Sequence, residues 1–164
     1  MNFIDVGYFS GGAGVFAENN ASLTLRGCTV RNNSAPNGGG SVLAYQSTLL
    51  MEDCTVRDNA AVTGTGLSLF GSAGTVRRCA FTNNAGIGSG GLFSVNNWDG
   101  VSTLDCRDSL LANNTVELNL VDASVSTNFT LVNCTVANNR STGTHVRIVV
   151  PAGALEARID AGAQ

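Results

Sequence analysis

A six-residue motif recurs five times along the chain at a nearly constant interval. The copies are CTVRNN from Cys28, CTVRDN from Cys54, CAFTNN from Cys79, SLLANN from Ser109 and CTVANN from Cys134. Successive starts are about 25–30 residues apart, which lies within the range of known structural repeats. Such repeats predict a fold of stacked, similar units, because one unit cannot bury an apolar core alone.

Apolar residues flank each copy at fixed places, with polar residues between them. Most copies have one five residues before the start, one three residues before it and one two residues after it, as in Leu23, Leu25 and Val30. Alternation with a period of two is typical of β-strands. A second family of strands is predicted upstream of each copy, in the segments that begin at Gly11, Gly38, Gly64, Gly90 and Val116.

The repeat length selects among the repeat architectures. A unit of about 25 residues with about three short strands is too short for a propeller blade of roughly 40 residues, and it lacks the signature of leucine-rich repeats. We therefore predict an all-β right-handed parallel β-helix (a solenoid) of about six coils, each of about 25–26 residues. The whole chain, residues 1–164, is expected to form one domain.

One column of asparagines ends every copy of the motif. Asn side chains at stacked turns can bond to the coils above and below, so we predict an inward-facing asparagine ladder. The alternative is a ligand site made of the same residues. The column comprises Asn33, Asn59, Asn84, Asn114 and Asn139.

A second column begins every copy and holds Cys28, Cys54, Cys79, Ser109 and Cys134. The chain has no CxxC pair, and in-register strands lie about 4.8 Å apart, wider than the roughly 3.8 Å that a disulfide prefers. We therefore interpret these cysteines as small buried apolar residues and expect no metal and no cofactor. The fifth cysteine, Cys106, lies in another column.

The repeat pattern runs to both ends of the chain. This predicts a segment of a longer solenoid, with end-to-end contacts possible at coils that have no cap. Residues 151–164 suit either a partial coil or an amphipathic capping helix with Leu155 and Ile159 on one face. The sequence leaves both alternatives open.

Net charge and hydropathy argue against nucleic-acid binding and against a membrane-spanning helix. The net charge is −3, and the nine basic residues, all Arg, form no stripe. Nucleic acid is therefore not an expected partner, because phosphate binding needs clustered positive charge. No apolar run approaches the roughly 20 residues of a membrane-spanning helix.

The longest repeat interval, between Cys79 and Ser109, carries the best candidate for a binding site. We place its five or so extra residues in VNNWDGVS, from Val95 to Ser102. Insertions into solenoid coils often form loops on the binding face. The loop contains the only Trp, so we predict binding of a glycan or protein through Asn96, Asn97, Trp98 and Asp99. The alternative is that Trp98 covers the outer sheet.

A catalytic site has weaker support. Glycoside hydrolysis needs two carboxyl groups close together, and only Asp53, Asp105 and Asp108 could approach each other at one turn. We interpret them as a surface charge network. The chain lacks the NTD, DD and GHG motifs that polygalacturonases share, and His145, the single His, has no readable catalytic partner.

The repeats resemble those of the chlamydial polymorphic outer membrane proteins, which pair an FxxN motif with a GGA-apolar motif. Residues Phe81 to Asn84 match FxxN, and Gly11-Gly12-Ala13 match the start of the second motif. The resemblance implies a surface-exposed β-helix that acts as an adhesin. We therefore expect a non-catalytic extracellular or cell-surface scaffold for adhesion or ligand presentation. The alternative is a degenerate or partial pectin-lyase-like polysaccharide-active enzyme.

Overall fold

The computed structural model describes residues 14–88, 91–97, 99–117, 119–123 and 127–141. These residues form five coils, and each coil contributes one strand to each of four parallel sheets. The prediction of an all-β parallel β-helix is confirmed. The partial coil or helix predicted for residues 151–164 lies outside the described residues, as does the Gly11-Gly12-Ala13 motif.

The strands are numbered in chain order, four to a coil. The first sheet contains β1 (Val15–Ala17), β5 (Val42–Tyr45), β9 (Leu67–Phe70), β13 (Phe93–Asn96) and β17 (Val121–Ala123). The second contains β2 (Ser22–Arg26), β6 (Thr48–Glu52), β10 (Ala73–Arg77), β14 (Thr103–Arg107) and β18 (Asn128–Val132). The third contains β3 (Thr29–Arg31), β7 (Thr55–Arg57), β11 (Ala80–Thr82), β15 (Leu110–Ala112) and β19 (Thr135–Ala137). The fourth contains β4 (Ser34–Ala35), β8 (Ala60–Ala61), β12 (Ala85–Gly86), β16 (Thr115–Val116) and β20 (Arg140–Ser141).

Two details of the strand prediction are wrong. Each coil has four strands rather than about three, because the fourth sheet is built from two-residue strands that are too short to show alternation. In the fifth coil the first strand begins at Val121, not at Val116, which belongs to β16 instead.

The pairing register aligns the apolar columns of the sequence. In the second sheet Leu23, Leu49, Gly74, Leu104 and Phe129 are successive partners. Like residues therefore stack through the core, where neighbouring coils bury them against each other. Gly74 interrupts the column because a Cβ there would lie 2.7 Å from Cδ1 of Leu69.

The core is completed by contacts between opposite sheets. Phe81 in the third sheet and Phe93 in the first sheet are both fully buried. Their rings meet edge to face with centroids 4.7 Å apart. An edge-to-face aromatic pair stabilises the fold beyond the contribution of the apolar area that the two rings bury. The aromatic pair therefore fixes the distance between two walls of the solenoid at its centre.

Three corners of the coil share one design. A residue in the left-handed region, with φ between 46° and 58°, is followed by a residue whose side chain bonds to neighbouring coils. Asn, Asp and Gly adopt this conformation most readily, and they occupy most of the positions. The pairs include Gln46-Ser47, Asp53-Cys54, Arg78-Cys79, Asp58-Asn59 and Asn83-Asn84.

The asparagine ladder lies at the corner between the third and fourth sheets. Oδ1 of Asn84 accepts bonds from the backbone N–H and from Nδ2 of Asn59, at 3.2 and 2.9 Å. Nδ2 of Asn84 donates to Oδ1 of Asn114 at 3.0 Å and to the carbonyl of Val56 at 3.0 Å. The side chain thus makes all four bonds that a carboxamide can make. The same bonds to the next residue of the column continue from Asn33 to Asn139, so the predicted ladder is confirmed.

The thiol column lies at the corner between the second and third sheets. Cys54, Cys79 and Cys134 are buried, as predicted, and Cys28 is half-buried. The residues of this column also form hydrogen bonds, whereas we had predicted only apolar packing. The backbone N–H of Cys54 donates to Sγ of Cys79 at 3.4 Å, and that of Cys79 donates to Oγ of Ser109 at 3.1 Å.

A third ladder, of hydroxyl groups, lies at the corner between the first and second sheets. The N–H of Ser47 donates to Oγ of Ser72 at 3.0 Å, and that of Ser72 donates to Oγ of Ser102 at 3.2 Å. Thr127 continues the column as a fully buried residue. This ladder was not predicted from the sequence, although its members recur at the same intervals as the motif that begins at Cys54.

We predict that Asn84→Ala destabilises the protein by about 3 kcal/mol or more, because it leaves the buried N–H and Nδ2 of Asn59 without their acceptor and removes the bonds to Asn114 and Val56. The measurement is the urea concentration at the unfolding midpoint. Asn128→Ala is the matched control, since Asn128 is an exposed asparagine at the start of β18. Its effect is expected to stay within about 0.5 kcal/mol. Equal effects of the two substitutions would contradict the ladder.

We also predict that Cys79→Ser is less destabilising than Cys79→Ala by about 1 kcal/mol. The serine hydroxyl would keep an acceptor for the N–H of Cys54, and the column already holds a serine at position 109. Comparison of the two thermal melting curves tests this. If the alanine variant were the more stable of the two, the thiol would act only by packing.

Candidate functional site

The longest coil carries its insertion mainly between the first and second sheets. Residues 71–72 connect β9 to β10, whereas residues 97–102 connect β13 to β14 one coil later. Four extra residues are therefore inserted between β13 and β14. The fifth lies before β13, because residues 87–92 precede that strand where residues 62–66 precede β9. The predicted position of the insertion is thus right except for one residue.

The base of the loop is closed by the hydroxyl ladder. Ser102 accepts the N–H bond of Ser72 and donates its own hydroxyl to the carbonyl of Asn96. The corner therefore keeps its place in the column although the loop is inserted next to it. Val101 is 62% exposed, and Asp99 and Gly100 are also exposed, so the loop reaches solvent.

The loop folds back across two earlier coils. The hydroxyl of Tyr45, in the second coil, donates to Oδ2 of Asp99 at 2.7 Å. In the third coil, a Cβ on Gly71 would lie 2.5 Å from the carbonyl oxygen of Asp99, so glycine is required there for the loop to pass. The hydrogen bond to Asp99 raises the pKa of Tyr45. The backbone of the loop thus passes close to Gly71, and its carboxylate is bonded to Tyr45.

These contacts assemble a mixed aromatic and polar surface, which we call the loop patch. Tyr45, Phe70 and Asn96 are neighbours across the first sheet. Asn97 and Asp99 follow in the loop. Aromatic faces beside carboxamide and carboxylate groups suit sugar rings, which offer an apolar face and a rim of hydroxyl groups.

Of the predicted binding residues, the structure brings together Asn96, Asn97 and Asp99, and Trp98 lies outside the described residues. Tyr45 and Phe70 were missed by the sequence analysis. They are register partners in successive coils, and their separation by one repeat length was the signal available for them.

The acidic residues weighed as catalytic candidates pair with other side chains. Arg78 forms a two-bond ion pair with Asp53, at 2.7 and 2.9 Å, and lowers the pKa of that carboxyl group. Arg107 contacts Asp105 at 2.8 Å, and Asp108 accepts a bond from Asn133 at 3.2 Å. Each of the three carboxylates thus contacts a different surface side chain.

An open groove of about 460 Å³ lies beside these contacts, at the corner between the second and third sheets. Arg78, Asp108, Leu110 and Asn133 are among the residues that line it. Among the described residues no group of three or more His, Cys, Asp or Glu side chains is placed to hold a metal ion. His145 lies outside the described residues.

Comparison with known proteins identifies the fold family. A family model described as a right-handed β-helix region matches residues 13–150, which is most of the chain. The match agrees with the predicted hand of the solenoid. Neither the curated proteins nor the solved structures contain a match to this sequence. The described residues contain no helix that is long and apolar enough to span a membrane.

We predict that Tyr45→Phe loosens the loop without changing the solenoid, because it removes only the hydroxyl that bonds to Asp99. Backbone amides in residues 99–101 should exchange with deuterium about fivefold faster, as expected for the loss of about 1 kcal/mol. Amides of β14 serve as the internal control and should be unchanged. Unaltered exchange in the loop would show that the Tyr45 bond does not hold it.

Proposed function

Because the chain belongs to the right-handed β-helix family, we propose that it is a non-catalytic scaffold that presents the loop patch to a glycan at a cell surface. The observation that carries the proposal is the anchored insertion of the longest coil. It is fixed by Tyr45 and Ser102, and it exposes Asp99 beside aromatic side chains. A surface that is already ordered binds with a smaller loss of conformational entropy.

Adhesion suits the physical character of this surface. The loop patch contains the aromatic side chains of Tyr45 and Phe70 beside the carboxylate of Asp99, so it offers stacking and hydrogen bonds. Such contacts give modest affinity for one sugar, and repeated epitopes on a cell surface raise the total strength of attachment. The likeness of Phe81 to Asn84 to the FxxN repeats of chlamydial surface proteins supports an extracellular location.

The state of the acidic residues also supports a non-catalytic role. A glycosidase places two carboxyl groups on either side of the bond that it cleaves, one as acid and one as base or nucleophile. Asp53 and Asp105 are each in an ion pair with an arginine. The alternative, a polysaccharide-active enzyme, requires these pairs to open around a substrate.

A glycan array with the purified chain tests the proposal. We expect binding to a defined set of glycans, reduced about tenfold or more (about 1.4 kcal/mol) by Asp99→Ala and by Trp98→Ala. Leu110→Ala, at the corner between the second and third sheets, is the matched control and should bind as the wild type does. Binding that is lost equally in all three variants, or that is absent from the wild type, contradicts the proposal.

The enzyme alternative has its own assay. Incubation with pectic polysaccharides and Ca²⁺ should release neither unsaturated products nor new reducing ends if the chain is a scaffold. Turnover that Arg78→Ala abolishes, while Asp99→Ala leaves it intact, would assign an active site to the groove and overturn the proposal.

A further inference from the structure

Residues of the thiol column contact a diagonal neighbour in the coil before them. Sγ of Cys54 lies 3.4 Å from the carbonyl oxygen of Leu25, and Sγ of Cys134 lies 3.5 Å from that of Cys106. Leu25 and Cys106 occupy the same column, three places before the start of the motif. This neighbour is a leucine in the first coil and a cysteine only in the fourth.

The diagonal contact therefore brings two thiols together between the fourth and fifth coils. Sγ of Cys106 and Sγ of Cys134 are 3.9 Å apart. Cys106 and Cys134 are not register partners, because Cys106 pairs with Leu131. The spacing of in-register strands therefore does not keep their sulfur atoms apart. The two sulfur atoms are in direct contact inside the solenoid.

We propose that Cys106 and Cys134 form an oxidative cross-linking site, where a peroxide converts the two thiols into a disulfide that joins the fourth and fifth coils. The proposal does not depend on glycan binding. It assigns to this pair a covalent chemistry that the packing role of the cysteines does not include.

The chemistry balances with one peroxide molecule. The Cys134 thiolate attacks one oxygen of hydrogen peroxide, the O–O bond breaks, and hydroxide leaves and takes up the thiol proton as water. The resulting sulfenic acid is attacked by the sulfur of Cys106, so the S–S bond forms, the S–O bond breaks and a second water leaves. Two thiols are oxidised, and one peroxide is reduced to two waters.

The environment of the two sulfurs assigns their roles. The hydrogen bond from the Cys106 thiol lowers the pKa of Cys134, whereas the pKa of Cys106 is raised by the same bond and by burial. Cys134 is 9% exposed and Cys106 is fully buried, so peroxide reaches Cys134 first. Burial raises the pKa of Cys79 to about 11, and that of Cys54 is also raised, so these thiols react more slowly.

Peptide mapping of the peroxide-treated full chain tests the site. Combined cleavage after Arg and before Asp separates Cys106, in residues 105–107, from Cys79 and releases Cys134 in residues 122–140. We expect these two peptides to be joined, with a mass two hydrogen atoms below their sum. The yield of this species should rise with pH and should do so at a lower pH than for an ordinary thiol, because the pKa of Cys134 is lowered.

Matched variants use residues that the columns already contain. Cys134→Ser copies Ser109, and Cys106→Val copies Val76, so both keep the packing of the wild type. Each should abolish the cross-link, whereas Cys79→Ser should retain it. Circular dichroism confirms that the variants are folded, and the wild-type map decides the question if a variant is not.

Three results overturn the proposal. The first is a disulfide that joins other cysteines or two different molecules. The second is peroxide oxidation of Cys134 to sulfinic acid while Cys106 remains a free thiol. The third is a chain that keeps five free thiols after treatment with an excess of peroxide.

Discussion

The structure depends on how backbone N–H groups are satisfied where the coil turns. Inside a sheet each N–H donates to a neighbouring coil, but at a corner the turned residue leaves the regular pattern, and a buried unpaired N–H is costly. At three corners the side chain of the next coil supplies the acceptor. A carboxamide does so at Asn84, a hydroxyl at Ser72 and a thiol at Cys79.

The same hydrogen bonds keep the core in place next to the inserted loop. Ser102 remains in the hydroxyl ladder although four residues have been inserted next to it. The corner therefore fixes the core while the loop reaches Tyr45, two coils away. This arrangement explains how one coil of a repeat array can gain an inserted loop without disturbing the stacking of its neighbours.

The sequence predicts the parts of this structure that repeat and misses those that depend on diagonal or distant contacts. The column of Asn59 and Asn84 was predicted because period and residue type coincide there. The hydroxyl ladder was missed because serine is common in loops. Serine indicates a ladder only when its spacing is compared with the repeat interval. The bond from Tyr45 to Asp99 joins coils that are two apart, and the contact of Cys106 with Cys134 joins two different columns, so the repeat interval predicts neither.

The most direct test of the corner account is hydrogen exchange of the side-chain carboxamides, followed by NMR on labelled protein. The account predicts that the NH₂ protons of Asn59, Asn84 and Asn114 exchange far more slowly than those of the exposed Asn128, because both protons of each buried group are donated to a neighbouring coil. Exchange of all four side chains at one common, unprotected rate would contradict it.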